Sequence, residues 1–246
     1  MKKIFKTLFE KKQFVRGNIN LNTRKGALHK SWGHIFSNHL FGDYVEFGVY
    51  KGESFIDSIN MYLEFKSWLK SQFTSDEEWR IKVAKNSKLN EEIFFHGLDT
   101  FEGMPDNKEN SYVFKKNAFF AKEEIVKNKL SILSKSNVKT FLYKGEFAKT
   151  KHELHLKLKN RKVSIVNFDC DLEKSTSNAL KIIETYIQIG AIFLFDDYNG
   201  FNADNRFGQR KAFQTFLKSS NYMFEKFFSY HYSGQAFLCT GDKLLS

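Results

Sequence analysis

Proline occurs once in the 246 residues, at Pro105, and no segment is an internal repeat or of low complexity. That leaves no proline-rich linker to read. Cysteine occurs twice, at Cys170 and Cys239. Two cysteines far apart exclude a disulfide framework and a cysteine metal site, and they fit a reducing cytoplasm. No stretch approaches the roughly 18 apolar residues that a membrane-spanning helix needs. The opening MKKIFKTLFEKK starts like a signal peptide, but Lys6, Glu10 and Lys11 interrupt any apolar run. A soluble, cytoplasmic protein is expected.

Hydrophobic residues are plentiful, at 41% of the chain with 28 Phe, enough for one large domain or two small ones. The formal net charge is +11, of which residues 1–30 carry +8, with nine Lys/Arg against Glu10. The body is therefore nearly balanced and lacks a basic groove, which argues against nucleic acid as a partner. Ile4, Phe5, Leu8 and Phe9 share a helical face opposite lysines. Residues 1–12 are thus expected to form an amphipathic helix. It would pack on the domain or on a second subunit of a homo-oligomer; contact with an anionic membrane surface is the sharper alternative.

Helices are expected over 27–41, 53–73, 118–136, 175–190 and 208–220, and strands over 43–50, 93–101, 138–145, 161–169 and 191–197. Residues 223–241 read as two strands around Ser233-Gly234. Strands alternating with helices predict an α/β fold, a mostly parallel sheet covered on both faces, with a C-terminal antiparallel hairpin. Residues 1–41 read as an N-terminal helical extension, 42–246 as the main domain, and 74–92 as an exposed polar insertion.

Three stretches carry chemistry. In VEFGVYKGESF (45–55) a strand runs into a turn with Gly48 and Gly52, where a ligand can approach the backbone closely. In HGLDTFEGMP (96–105) Asp99 ends a strand where a nucleoside-binding protein places an acid on the ribose, and Phe101 can cover an adenine. In VNFDCDLEKSTSNAL (166–180) Asp169 and Asp171 lie one residue apart, on the same side of an extended chain. Asp196 and Asp197 end the next strand, 27 residues after Asp169, so a β-α-β crossover brings the two ends together. With no Arg or Lys expected nearby, the neutraliser would be a hard divalent cation, Mg²⁺ above all. His152 and His155 have no third ligand partner and read as surface residues.

With EFGVYKGES, LDTFEGMP, YKGEFAKT, DCDLEKSTSNAL, FDDYNG and GQRKAF in this order, the chain resembles the macrocin O-methyltransferase (TylF-like) family from about Gly42 to Ala212. The resemblance implies a Rossmann-like class I fold and methylation of a sugar hydroxyl with S-adenosylmethionine and Mg²⁺. The acceptor would be a small molecule, a nucleotide-linked sugar for a bacterial surface polysaccharide or a glycosylated natural product. It implies that Glu46, Phe47, Gly48, Gly52 and Ser54 line the methionine part of the cofactor. Asp99, Thr100 and Phe101 would hold ribose and adenine, with Gly145 and Glu146 near the adenine. Asp169, Asp196 and Asp197 resemble the metal ligands, and Asp171 the general base. Glu173 stands where an aromatic is commoner. The alternative is a metal-dependent glycosyltransferase using the D-x-D at 169–171, though it leaves the glycine turn and the Asp196-Asp197 pair without a task. A binding module that kept only the fold would have lost such acids.

Overall fold

The computed structural model describes residues 19–86, 91–109, 113–133 and 138–244, so the helix expected over 1–12 lies outside the described residues. The strands are β1 (Asp43–Phe47), β2 (Phe94–Asp99), β3 (Lys139–Lys144), β4 (Val163–Phe168), β5 (Ile192–Phe195), β6 (Tyr222–Tyr230) and β7 (Gly234–Asp242). The helices are α1 (Arg24–Ser37), α2 (Glu53–Ser71), α3 (Glu78–Asn86), α4 (Glu123–Leu133), α5 (Phe147–Leu158), α6 (Glu173–Ile183) and α7 (Gly208–Ser219).

The seven strands form one sheet in the order β3-β2-β1-β4-β5-β7-β6. β1 to β5 are parallel, and β7 runs antiparallel to β5 and β6. Side chains alternate across the sheet. Tyr44 points into a core with α1 and α2, built on Trp32, Phe55, Ile59 and Tyr62. Val45 and Phe47 point into the other core, with Leu154 and Leu158 of α5, Leu180 of α6 and Phe213 of α7. Both faces are covered, as the alternation of strands and helices predicts.

Several elements differ from expectation: α4 starts at Glu123 rather than at 118, α6 ends at Ile183 rather than at 190, and two further differences have a local cause. α1 starts at Arg24 rather than Ala27, because the Thr23 side chain accepts the Gly26 N–H at 3.0 Å and caps the helix. It stops at Ser37, leaving Leu40 in the following turn. The polar stretch 74–92 holds a helix, α3, although Trp79 stays 57% exposed. Side-chain pairs support it: Lys82 with Glu78 at 2.9 Å, and Arg80 with Glu77 at 3.2 Å.

The amino end of β1 is fastened by a buried ion pair. Asp43 accepts from Arg161 Nε at 2.6 Å and Nη2 at 2.7 Å, from the Phe94 N–H at 2.9 Å, and faces His96 Nε2 at 3.3 Å. Burial alone would raise its carboxyl, but Arg161 and His96 outweigh burial and hold it below the usual range. A depressed folded-state value means this stabilisation is present above the unfolded carboxylate range and is lost as pH falls through the folded value. Asp43→Ala, which leaves the half-buried Arg161 and the Phe94 N–H without this partner, should cost about 1–3 kcal/mol in urea unfolding at pH 7. A loss under about 1 kcal/mol would show the pair to be dispensable.

Candidate active site

Strand order reverses between β1 and β4, and ligands of open α/β sheets bind at the carboxyl ends beside such a point. There the ends of β1, β2 and β4 are stitched together. Asp169 N–H donates to Phe47 O at 2.8 Å, and Gly48 N–H to Leu98 O at 2.9 Å. Gly48 has φ +94°, and a Cβ there would lie 1.9 Å from the Asp169 carbonyl oxygen. The end of the neighbouring strand, β4, therefore demands this glycine. Gly48→Ala should lower stability by about 1–3 kcal/mol, read by urea unfolding. A fully stable variant would mean that the Asp169 backbone yields freely.

Asp99 fixes the glycine turn. Its Oδ2 accepts the N–H groups of Val49 at 2.8 Å and Tyr50 at 2.7 Å, and its Oδ1 that of Phe101 at 2.7 Å. A carboxylate offers about four lone-pair sites, so capacity for a hydroxyl remains. Gly145 joins here, donating its N–H to Asp99 O at 2.9 Å. Gly52 caps α2 at φ +78°. Glu46 is fully buried and accepts from Ser54 Oγ at 2.8 Å, from Asn167 Nδ2 at 3.1 Å and from the Tyr44 hydroxyl. Burial pushes its carboxyl up to about 7 against those hydrogen bonds.

Other expected cofactor residues sit differently. Phe47 stacks on Phe168 with centroids 5.7 Å apart, inside the core. Phe101 is 3% exposed and packs in the other core, so no open ring face awaits an adenine. Thr100 Oγ1 donates to Gly103 O at 3.0 Å. Glu146 sits at the exposed cap of α5, paired with Lys149 at 2.8 Å.

The four acids gather as expected, but they divide. Asp169, Asp171 and Asp197 bring one oxygen each within 4.8 Å of one another. Asp171, at φ +52° and 7% exposed, shares a hydrogen bond with Asp197. Burial, then that bond and the negative neighbours, raise the Asp171 carboxyl well above its usual range. Burial and the charge of Asp196 do the same to Asp169, opposed by Arg24.

Asp196 is committed elsewhere. Arg24 grips it with a fork, Nε at 2.9 Å from Oδ1 and Nη2 on Oδ2. His231 Nδ1 accepts the Ser233 N–H at 3.2 Å, so Nε2 carries the proton and faces Asp196 Oδ1 at 3.0 Å. Burial alone would raise the Asp196 carboxyl, yet these partners hold it below its usual range. Arg24 also reaches Asp169 at 3.4 Å. This corrects the expectation of a cluster without a nearby Arg or Lys: α1 supplies a cation from far along the chain.

Sequence reasoning missed four supports. Gln209 is fully buried, accepts the Asp197 N–H at 3.0 Å and donates to Phe168 O at 2.9 Å, so it braces the ends of β4 and β5. It stands in GQRKAF, where its position before the apolar face of α7 was the available signal. Glu109 accepts the first N–H groups of α6 and α7, Glu173 at 2.6 Å and Gly208 at 2.8 Å. Arg24 and His231 carry no local sign of their task. His152 is exposed, as expected, whereas His155 is half-buried against the Ile182 carbonyl at 3.2 Å.

No protein-family model matches the chain, and no curated protein does. Solved structures do. The O-methyltransferase NovP superposes with TM-score 0.63 at 18% identity, over 89% of this chain and 80% of that one. CalS11, a TDP-rhamnose 3'-O-methyltransferase of calicheamicin biosynthesis, gives 0.57 at 16%, over 89% and 79%. An O-methyltransferase from Bacillus cereus in complex with SAH gives 0.51 at 10%, over 96% and 91%. The chain therefore has the Rossmann-like fold of these methyltransferases, its parallel strands extended by an antiparallel pair at one edge.

Proposed function

We propose that this protein is an S-adenosylmethionine-dependent O-methyltransferase that methylates a sugar hydroxyl with the help of a divalent cation. One observation carries the reading. The glycine turn pinned to Asp99 and the cluster of Asp169, Asp171 and Asp197 meet at adjoining strand ends. A donor site and an acceptor site must be neighbours for a group to pass between them.

The donor set fits the expected groups. Three carboxylate oxygens suit a hard cation such as Mg²⁺. A cation there would neutralise the acids and make a hydroxyl brought to it easier to deprotonate. The turn at Gly48–Gly52 lies at the end of β1 beside Asp99, whose carboxylate accepts three backbone N–H groups and retains lone-pair capacity for a hydroxyl. S-adenosylmethionine would supply an electrophilic methyl group on a sulfonium.

The protein's own residues do the rest. Asp169 and Asp197, with Asp171 beside them, would hold the cation, and Asp171 would accept the proton of the acceptor hydroxyl. Gln209 sets the Asp197 backbone. Arg24 and His231 fix Asp196, which keeps that carboxylate turned toward α1 and the β6–β7 hairpin. Glu46 orients Ser54 at the start of α2, on the methionine side of the turn. The sugar acceptor follows from the motif resemblance and agrees with the fold shared with CalS11.

Calorimetry with S-adenosylmethionine and transfer of labelled methyl to a panel of glycosides and nucleotide-linked sugars test this. Stabilisation in a thermal-shift assay by a nucleotide sugar, without any by S-adenosylmethionine, would instead establish the glycosyltransferase. Methylation of catechols alone would remove the sugar.

A further inference from the structure

We infer that a row of five aromatic rings along the carboxyl edge of the sheet forms the acceptor wall. We infer also that the acceptor carries a flat aromatic or heteroaromatic ring beside its sugar. This rests on the O-methyltransferase reading of the neighbouring site.

The row runs Tyr50, Phe119, Phe114, Phe201, Phe207. Successive ring centroids are 6.0, 6.3, 5.3 and 6.3 Å apart. Its two halves touch the two halves of the site. Tyr50 lies in the glycine turn and gives its N–H to Asp99 at 2.7 Å. Phe201 packs on Gly208: a Cβ on that glycine would be 2.7 Å from the Phe201 ring and 3.4 Å from the Asp171 carbonyl oxygen. A methyl group must travel between these same two places, so the row borders its path.

The backbone is bent to hold the rings there. Tyr50 (φ +50°), Phe119 (φ +57°) and Phe201 (φ +53°) all adopt the left-handed conformation, and Asn202 and Ala203 continue it. Bulky residues seldom enter that region, and such strain gathers at functional sites. Core packing does not account for it, because Phe119 remains 47% exposed and Tyr50 37%.

Length and charge narrow the ligand. A single sugar ring covers one step of the row, so a sugar beside Phe201 leaves the solvent-exposed parts of Tyr50 and Phe119 without a ligand. A second flat ring would stack on them, since aromatic rings prefer offset or tilted partners at such spacings. Cations stand at both ends: Lys51 lies 5.0 Å over Tyr50, and Arg206 5.7 Å over Phe207. The shared chemistry is a planar ring, from the base of a nucleotide-linked sugar or from an aryl aglycone.

Calorimetry on the full chain with S-adenosylhomocysteine present separates the cases. The probes are nucleoside diphosphate sugars, 4-nitrophenyl glycosides and the matching methyl glycosides. Ring-bearing probes should bind at least about tenfold more tightly than methyl glycosides, as stacking on aromatic side chains allows. The tighter of the two ring classes identifies the source. Phe207→Ala should erase most of that preference, and Phe207→Leu, which keeps apolar bulk, should erase it too. Affinity for S-adenosylhomocysteine should stay unchanged in both. Equal affinity for methyl and ring-bearing probes, no binding by any ring-bearing probe, or a preference that survives both substitutions overturns the inference. Failure of the wild type to bind S-adenosylhomocysteine overturns the methyltransferase reading itself.

Discussion

Asp171→Asn is expected to lose about 10²–10⁴-fold in turnover, the usual cost of removing a general base, while still binding S-adenosylmethionine. A sugar hydroxyl holds its proton tightly, so methylation needs a group that takes the proton as the new bond forms. Asp171 meets the geometric demand, being buried with its oxygen beside those of Asp169 and Asp197. It meets the proton-affinity demand as well, because burial, Asp197 and Asp169 push its carboxyl upward. Asn keeps the shape but cannot accept the proton. The raised value also fixes the sign of the pH dependence: turnover should rise with pH as Asp171 ionises and flatten above that point. A cation among the acids favours the ionised form and moves the rise toward lower pH. Turnover of Asp171→Asn equal to wild type across pH 6–9 would take the base away from Asp171.

The order of strands, helices and acids was legible because each depends on local pattern. Apolar runs of strand length ended at Phe47, Leu98 and Phe168, and Gly48, Asp99 and Asp169 followed them. What local pattern cannot show is which side chain a distant segment delivers. Arg24 meets Asp196 across 172 positions of sequence, and His231 reaches it from a hairpin turn across 35. Neither sits in a motif, so the acids were read as lacking a protein cation. Phe47 and Phe101 are buried in the two cores, which local pattern does not show either. A residue next to a functional glycine or acid is often on the opposite face, and in a sheet covered on both sides that face is core. The helix in 74–92 was hidden because one i,i+4 and one i,i+3 ion pair, rather than an apolar stripe, support it.

The largest effect on metal binding is expected at Asp169. Asp169→Asn should weaken Mn²⁺ or Mg²⁺ binding by at least about 10²-fold, since it removes one of the negative charges that face the ion at short range. Asp196→Asn should weaken it by less, because both Asp196 oxygens already serve Arg24 and His231. The effect then passes through orientation, for which losses of about 10–100-fold are typical. Arg24 supplies the discriminating variant. Its guanidinium lies 3.4 Å from Asp169, where a divalent ion would meet a like charge. Arg24→Gln removes that charge and should tighten metal binding if Asp196 only positions Arg24. If Asp196 is itself a ligand, Asp196→Asn should match Asp169→Asn. pH gives an independent check with a determined sign. Asp169 and Asp171 have raised proton affinity without an ion, so binding must expel protons. Metal affinity should therefore increase with pH through the range where these carboxyls titrate. It should level off once both are ionised. Titration calorimetry in buffers of different ionisation enthalpy measures the released protons directly. Binding with no proton release at the acid end of that range would mean that the ion does not sit among Asp169, Asp171 and Asp197.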